Sequence, residues 1–373
     1  MSQWIKTKLG EIVILNYGKA LKAQDRNAGS IPVYSSGGLT GWHNKALINE
    51  QGIIIGRKGT VGKAYLTYGP FWCIDTAYYI LPNPSKYDFV FLFYLLKTLG
   101  LEELNEDSAV PGLNRDTAYS QEILLPSLPE QKAIASVLSS LDDKIDLLHR
   151  QNKTLESMAE TLFRQWFILD STGVSVSIDQ IIDFNPKRTL IKSQDATYLD
   201  MAGLSTVIFR ANGYYRRPFS SGTKFTKRDT LLARITPCLE NGKAAYIDFL
   251  DDNETGWGST EFIVMRPKKE IHPFISYIMC RNPDFKEYAE SCMEGSTGRQ
   301  RVNLDHLKKF NVNLPTEASL RIINELLDSF ESKLINNAKK IDSLEKLRDT
   351  LLPKLMSGEV RVQYAEEAIA SVA

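Results

Sequence analysis

A heptad pattern of apolar residues within residues 126–170 constrains the fold of this chain more than any other feature. Apolar side chains recur at alternating steps of four and three residues from Ile134 to Trp166, with Asn152 in the series. Such spacing, sustained over more than four heptads, predicts one helix of about 40 residues whose seam packs against a partner helix. Residues 127–130 (Ser-Leu-Pro-Glu) have a capping-box pattern and a proline in the first turn, both typical of a helix start.

The partner helix is predicted in the same chain, because the sequence repeats with an offset of about 189 residues. A second heptad series runs from Ile323 to Leu355 and includes Asn337, and residues 113–116 align with residues 302–305. An antiparallel pairing that sets the two series' asparagines, Asn152 and Asn337, against each other would fix the helix register at some cost in stability. Two unrelated asparagines on helix surfaces are the alternative.

The predicted fold is α+β, with two mixed α/β domains separated by two long antiparallel coiled-coil helices and an internal pseudo-twofold repeat. Short buried strands, glycine turns and one helix are expected in each domain, and residues 52–57 correspond to residues 230–234. The predicted limits are 1–126 and 171–315 for the domains, 127–170 and 316–358 for the helices, and 359–373 for a frayed C-terminal tail.

Composition indicates a globular protein, with 43% hydrophobic and 24% charged residues. Residues 1–6 do not resemble a signal peptide and no apolar run approaches the length of a membrane span, so we expect a cytoplasmic location without membrane contact. The four cysteines lack CxxC spacing, which argues against a zinc site or a disulfide framework. The formal net charge is +0, so contact with nucleic acid would require basic side chains collected on one face.

Several segments together resemble the specificity subunits of type I restriction–modification enzymes. They are residues 128–134 (Leu-Pro-Glu-Gln-Lys-Ala-Ile), the glycine-rich segment 52–62, residues 74–77 (Ile-Asp-Thr-Ala) and the domain–helix–domain–helix repeat. The resemblance covers essentially the whole chain. The start of the second helix departs from the Pro-Glu-Gln pattern, because residues 315–317 are Pro-Thr-Glu.

The resemblance implies a function for each part of the chain. Two target-recognition domains would each recognise half of a bipartite double-stranded DNA site, with the helices as a ruler between them. Two methyltransferase subunits would dock on the helices, and restriction (translocase–nuclease) subunits are further partners. This chain would bind no cofactor, since S-adenosylmethionine, ATP and magnesium would belong to the partner subunits.

Loops that combine basic and amide side chains are the candidates for DNA contact. Arginine pairs with guanine O6 and N7 and glutamine or asparagine with adenine, which favours residues 299–303 and their shorter counterpart at Asn114 and Arg115. Basic turns after the buried strands suit phosphate contacts. The predicted DNA-binding residues are Arg57, Lys58, Lys63, Asn114, Arg115, Arg234, Lys243, Arg299, Gln300, Arg301 and Asn303. For each of them, a solvated turn or a structural cap is the alternative.

Apolar residues beside the heptad seam are candidates for partner docking. We select Phe163, Phe167 and Leu352 as positions for helices of methyltransferase subunits. Packing of the same side chains against the flanking domains is the alternative.

Enzymatic motifs receive no support. Residues 56–63 (Gly-Arg-Lys-Gly-Thr-Val-Gly-Lys) have the wrong glycine spacing for a P-loop, and Ala64 replaces the required Ser or Thr. Residues 185–188 (Asn-Pro-Lys-Arg) lack the second proline and the aromatic residue of an adenine methyltransferase. The four histidines do not cluster with a nucleophile, so no catalytic residue and no metal ligand is predicted. A coiled-coil scaffold that binds proteins and a stand-alone DNA enzyme are the alternatives to DNA recognition.

Overall fold

The computed structural model describes residues 4–104, 112–170, 172–296 and 298–370. Its helices are α1 (Leu9–Ile12), α2 (Phe89–Thr98), α3 (Arg115–Tyr119), α4 (Leu128–Phe163), α5 (Phe274–Arg281), α6 (Pro283–Ser291), α7 (Leu304–Leu307), α8 (Glu317–Ser357) and α9 (Val362–Ala370). A π-helical turn, Arg164–Leu169, follows α4. The chain divides into two units, residues 1–146 with 340–373 and residues 147–339, and both divisions fall inside the long helices α4 and α8.

The strands of the first unit form two small sheets and one strand pair. These strands are β1 (Ile5–Lys8), β2 (Asn16–Tyr17), β3 (Ile31–Ser35), β4 (Gly38–His43), β5 (Gly52–Gly56), β6 (Ala64–Thr67), β7 (Trp72–Cys73), β8 (Ala77–Ile80) and β9 (Glu122–Leu125). Their order is β2-β8-β5-β6 in one sheet and β4-β3-β7 in the other, and β1 pairs with β9. Every residue of β5 is buried, as its continuous apolar sequence predicts for a central strand.

The second unit has the same plan. Its strands are β10 (Val174–Ser177), β11 (Ile182–Phe184), β12 (Asp195–Leu199), β13 (Tyr215–Pro218), β14 (Thr223–Thr226), β15 (Thr230–Ala233), β16 (Ala244–Tyr246), β17 (Thr255–Gly258), β18 (Phe262–Pro267), β19 (Met293–Glu294), β20 (Arg301–Val302) and β21 (Asn311–Leu314). The order β11-β18-β15-β16 matches β2-β8-β5-β6, the order β13-β12-β17-β14 extends β4-β3-β7, and β10 pairs with β21 as β1 pairs with β9. The repeat in the sequence is therefore a repeat of topology.

The start of α4 is tied to α2 by a buried glutamine. Gln131 is 1% exposed; its Oε1 accepts from the backbone N–H of Asp88 at 2.8 Å, and its Nε2 donates to the carbonyl of Pro126 at 2.9 Å. Asp88 is the N-cap of α2 and accepts from the N–H of Phe91 at 2.9 Å. The glutamine of the Pro-Glu-Gln sequence therefore positions α4 on the first α/β domain, because the oxygen and the nitrogen of its side-chain amide are both hydrogen-bonded.

The heptad prediction is confirmed, because every position of both series is buried or half-buried. In the second unit, Asn337 Nδ2 donates to Asn152 Oδ1 at 2.9 Å, and the two side chains lie almost entirely out of solvent. Further along α4, Ala159 joins Leu327 of α8 in one core cluster, so residue numbers fall along one helix as they rise along the other. This part of the helix pair is antiparallel.

The helix segments of the first unit are antiparallel as well, and an ion pair explains the charged heptad position Arg348. Its Nη1 lies 2.9 Å from Asp142 Oδ1, and the other carboxylate oxygen accepts from Tyr94 Oη at 2.6 Å. Beyond α8, Arg361 Nη1 donates to Glu130 Oε1 at 3.1 Å. The charged side chain is satisfied at the edge of the seam rather than left unpaired within it.

The predicted frayed tail is wrong for most of its length. Residues 362–370 form α9, and Ala365 is fully buried. Within the part of the chain that the structure describes, no helix combines the length and the apolar character needed to cross a membrane.

Candidate nucleic-acid interface

A polar cleft of about 360 Å³ in the first unit brings together four of the predicted DNA-binding residues. Arg57 follows β5, and Lys58 forms an isolated backbone bridge with Gly112, which places this turn beside the segment leading into α3. The cleft is lined by Tyr17, Arg57, Lys58, Tyr78, Gly112, Leu113, Asn114, Arg115 and Asp116. Residues 105–111, which precede this lining in the chain, lie outside the described residues.

The ring of Tyr17 organises the cationic side chains of the cleft. The guanidinium carbon of Arg57 lies 4.9 Å from the centroid of this ring, and that of Arg115 lies 5.3 Å from it. Arg57 also lies 5.7 Å from the ring of Tyr78, whose hydroxyl donates to the carbonyl of Leu113 at 3.2 Å. Burial raises the pKa of Tyr78, so its hydroxyl stays neutral at physiological pH. Sequence reasoning missed both tyrosines, which lie far from the arginines in the chain.

Asn114 and Asn303 have the same structural task in the two units. Asn114 Oδ1 caps α3 by accepting from the N–H of Asp116 at 2.8 Å. Asn303 Oδ1 caps α7 by accepting from the N–H of Asp305 at 3.0 Å, and its Nδ2 donates to Glu294 Oε1 at 2.9 Å. An asparagine at this position is typical of a helix N-cap, so the structural alternative applies to both side chains.

Lys63 and Lys243 pair through their backbone carbonyls with Gly56 and Ala233, the residues that precede Arg57 and Arg234. Lys63 is exposed and lines a separate cleft, together with Glu102 and Glu103. Lys243 Nζ donates to the carbonyl of Met201 at 3.2 Å. Within the described part of the chain, the contacts given for the two lysine side chains involve no arginine.

Arg234 and Arg301 of the second unit converge on one carboxylate, Glu261. Arg301 binds Glu261 through two nitrogens, Nε at 2.9 Å and Nη2 at 2.7 Å from Oε1, and Arg234 Nε lies 3.9 Å from Oε2. The hydrogen bond from Arg301 holds the pKa of Glu261 below its usual range, so this carboxylate is charged at neutral pH. The sequence pattern gave no indication of Glu261, because it is distant in the chain from both arginines.

Arg299 and Gln300 lie in the same loop, and Gln300 is half-buried. Arg299 is exposed and its side chain makes no hydrogen bond or ion pair within the part of the chain that the structure describes. The carbonyl of Gln300 accepts from the backbone N–H of Thr236 at 3.1 Å, which anchors the loop beside the turn after β15. Two side chains with base-pairing chemistry are thus presented on an anchored backbone.

Arg217, a weaker DNA-contact candidate from the sequence, lies on an aromatic surface of the second unit. Its guanidinium carbon lies 4.8 Å from the ring centroid of Tyr198 and 5.1 Å from that of Trp257. These rings are 4.6 Å apart. The exposed arginines of β13, Arg216 and Arg217, extend the candidate interface beyond the predicted loops.

The docking prediction is wrong for Phe163 and Phe167. They are 1% and 0% exposed and stack on each other in the core of the second unit, with ring centroids 5.2 Å apart. The alternative, packing against the flanking domain, is correct for both. Leu352 is half-buried on α8.

A different apolar groove, of about 740 Å³, is open between α4 and α8 in the second unit. Its walls include Met158 (47% exposed) and Leu326 (40% exposed), and Arg150 and Lys153 lie at its side. Its other apolar lining residues, Leu162 and Phe330, belong to the heptad series, whereas Met158 and Leu326 lie beside it.

A cluster of His272, Asp328 and Glu331 has ligand atoms within 4.8 Å of one another, a spacing that suits a metal ion. An arginine fills this space instead. Arg228 Nη2 lies 2.5 Å from Glu331 Oε2, 3.1 Å from His272 Nε2 and 3.4 Å from Asp328 Oδ1, and Tyr246 Oη donates to Glu331 Oε1 at 2.6 Å. The guanidinium supplies the positive charge that a metal would bring, so the cluster is a partly buried ion-pair network, with Asp328 at its exposed side.

Comparison with known proteins assigns the family. The model of the type I restriction modification DNA specificity domain matches residues 1–157 and again residues 172–346, one match for each repeat. The MjaIX specificity subunit of a type I restriction enzyme from Methanocaldococcus jannaschii is 27% identical over 319 residues, which cover 73% of this chain and 69% of that protein. The HindI specificity subunit from Haemophilus influenzae is 21% identical, with 78% and 81% covered.

Coverage is smaller for other relatives. The EcoEI specificity subunit from Escherichia coli is 26% identical over 51% of this chain and only 34% of its own length.

The crystal structure of an S subunit from M. genitalium has the same fold, with a TM-score of 0.64 and 19% identity over 95% of this chain and 96% of that one. Since the family model covers both repeats, this chain belongs to the type I restriction–modification DNA specificity family.

Proposed function

We propose that this chain is the DNA sequence-specificity subunit of a type I restriction–modification complex and recognises a bipartite, asymmetric site in double-stranded DNA. The observation that carries this proposal is a duplicated domain with unlike side chains at corresponding places. The first unit presents a cationic cleft at Arg57, and the second presents the Arg234–Glu261–Arg301 cluster. Two domains with one backbone plan and different surface chemistry are suited to two different half-sites.

Residues 1–126 and 171–315 are the proposed target-recognition domains. Within the second, Arg299 and Gln300 are proposed to contact base edges, because both side chains lie on an anchored loop. Lys63 and Lys243 are proposed as phosphate contacts that carry no sequence information. Asn114 and Asn303 are proposed to act through the helices that they cap rather than through bases.

The long helices are proposed to dock two methyltransferase subunits, with restriction subunits as additional partners. The groove beside Met158 and Leu326 has the apolar character that an amphipathic partner helix needs. The relatives named above are specificity subunits of type I restriction enzymes, which supports this assembly. We infer that this chain has no catalytic activity alone, works in the cytoplasm, and leaves S-adenosylmethionine, ATP and magnesium to its partners.

Methylome sequencing tests the proposal. The chain is expressed in cells together with its methyltransferase partner, and a strain with the methyltransferase alone is the control. We expect one new methylated motif made of two unlike halves separated by a fixed gap. Formation of the complex without any new motif would contradict DNA recognition and favour a protein-binding scaffold.

A further inference from the structure

We propose that the cleft of Tyr17, Arg57, Lys58 and Arg115 holds one backbone phosphate of double-stranded DNA, while Glu261 neutralises the corresponding place in the second unit. The two halves of the protein would then contribute unequally to the electrostatic part of DNA binding. This inference rests on the proposed function, since it names the chemistry of a site within the first recognition domain.

Backbone hydrogen bonds establish which residues of the two units correspond. The N–H of Arg57 donates to the carbonyl of Thr76 at 3.0 Å, and the N–H of Arg234 donates to the carbonyl of Glu261 at 3.0 Å. Both arginines directly follow the central strand of a four-stranded sheet, β5 in one unit and β15 in the other. Glu261 therefore stands where the first unit has the uncharged Thr76.

The segments that precede α3 and α7 show a second correspondence between the two units. The N–H of Leu113 donates to the carbonyl of Arg57 at 2.8 Å. In the second unit, the N–H of Val302 donates to the carbonyl of Arg234 at 2.9 Å. The residues immediately before them, Gly112 and Arg301, are therefore equivalent. The second unit therefore has a carboxylate, Glu261, in place of Thr76, and an arginine, Arg301, in place of Gly112.

Among the described residues, the cationic side chains of the first cleft outnumber its carboxylates. Three cations and one carboxylate, Asp116, line it, and none of the three cations forms an ion pair with any described residue. Arg57 Nη1 makes one donation, to the carbonyl of Asp75 at 3.2 Å. Both Arg57 and Arg115 lie against the ring of Tyr17, which brings their guanidinium groups to one place in the cleft. A phosphate, with several acceptor oxygens, suits such converging donors.

At the corresponding place in the second unit, three arginine nitrogens donate to protein acceptors. Arg301 uses Nε and Nη2 on Glu261, and Arg234 Nη2 donates to the carbonyl of Val302 at 3.4 Å. A phosphate at this place would face the charged carboxylate of Glu261, whose lowered pKa keeps it ionised. Repulsion between the two anions disfavours phosphate there.

The test measures how salt weakens DNA binding by the full chain. Binding to a duplex that carries the methylated motif is followed by fluorescence anisotropy between about 50 and 200 mM KCl, since each phosphate contact contributes about one unit to the slope of log K against log salt. We expect Arg57→Gln and Arg115→Gln each to reduce this slope by about one and to leave the methylated motif unchanged. Arg57→Lys retains the charge and should retain the slope.

Two controls isolate the cleft. The double substitution Lys286→Gln with Glu290→Gln removes an exposed ion pair on α6, leaves the net charge unchanged and should leave the slope unchanged. Lys132→Gln removes one positive charge from an exposed position on α4 and should have less effect than either cleft variant. Thermal unfolding followed by circular dichroism establishes that each variant is folded. If Arg57→Gln does not fold, Arg115→Gln decides the test, because Arg115 is exposed and its substitution should not disturb folding.

The outcomes separate this inference from the proposed function. A wild-type chain that shows no salt-dependent DNA binding and gives no methylated motif contradicts the proposed function. A wild-type chain that binds normally, with both cleft variants keeping the full slope, contradicts the phosphate site alone. A changed motif in either variant also overturns it, since the cleft would then contact bases.

Discussion

Glu156 makes the stability of the second unit depend on pH, and replacing it with glutamine should remove that dependence. The carboxylate is 8% exposed on α4 and accepts from Tyr277 Oη at 2.8 Å. Arg281 Nε donates to the same phenol oxygen at 2.9 Å. Burial raises the pKa of Glu156 from 4.5 to about 7, although the hydrogen bond from Tyr277 and the charge of Arg281 both lower it.

The sign of the effect follows from proton binding. Between pH 4.5 and about pH 7 the folded protein holds the Glu156 proton and the unfolded chain does not, so the free energy of unfolding falls as pH rises. One pKa unit corresponds to about 1.4 kcal/mol, and the loss through this window is therefore on the order of 3 kcal/mol. Above the folded pKa both states are ionised and this contribution no longer changes.

Urea unfolding at several pH values between about 5 and 8 measures the effect. We expect the free energy of unfolding of Glu156→Gln to rise relative to that of the wild type across this range, by an amount on the order of 3 kcal/mol. Glu325→Gln, at an exposed position of α8, is the matched control and should show no such trend. A difference between Glu156→Gln and wild type that stays constant with pH would refute the reasoning.

Three further predictions concern the helices and the candidate interface. Asn152→Leu alone should lower the free energy of unfolding by about 1–3 kcal/mol, because the buried amide of Asn337 keeps only its longer contact of 3.4 Å with Gln151 Oε1. Adding Asn337→Leu should recover that loss in a double-mutant cycle, and strictly additive losses would argue against a coupled pair. Asn114→Ala should cost about 1 kcal/mol through loss of the α3 cap while leaving the methylated motif unchanged, whereas a changed motif in sequencing would assign it to base recognition. Leu326→Asp should abolish co-purification with a methyltransferase subunit while the thermal unfolding temperature stays close to that of the wild type, and normal stoichiometry of the complex would exclude the groove as the docking site.

Heptad spacing is a local signal, and this is why both long helices could be predicted from the sequence. The seam positions from Ile134 to Trp166 depend only on apolar side chains three and four residues apart. The contact between Asn152 and Asn337 followed once the two series were set antiparallel. Asn114 also had a readable signal, since asparagine just before a short helix is a common cap.

The composition of the candidate site could not be predicted, because it depends on contacts between residues distant in the chain. Tyr17 lies beside Arg57 and Arg115 only after β2 pairs with β8, and Glu261 meets Arg301 only after the second unit folds. Apolar periodicity likewise does not say what covers an apolar face. The sequence pattern therefore predicted Phe163 to be a docking residue, although the chain's own domain buries it.

The most direct test of the central claim is the methylome of cells that carry Arg299→Ala and Gln300→Ala in this chain, compared with that of the wild type. If each α/β domain recognises its own half-site, the bases of one half of the methylated motif should change or become degenerate, while the other half and the gap between them stay the same. An unaltered motif, or a change in both halves, would contradict recognition by two separate domains.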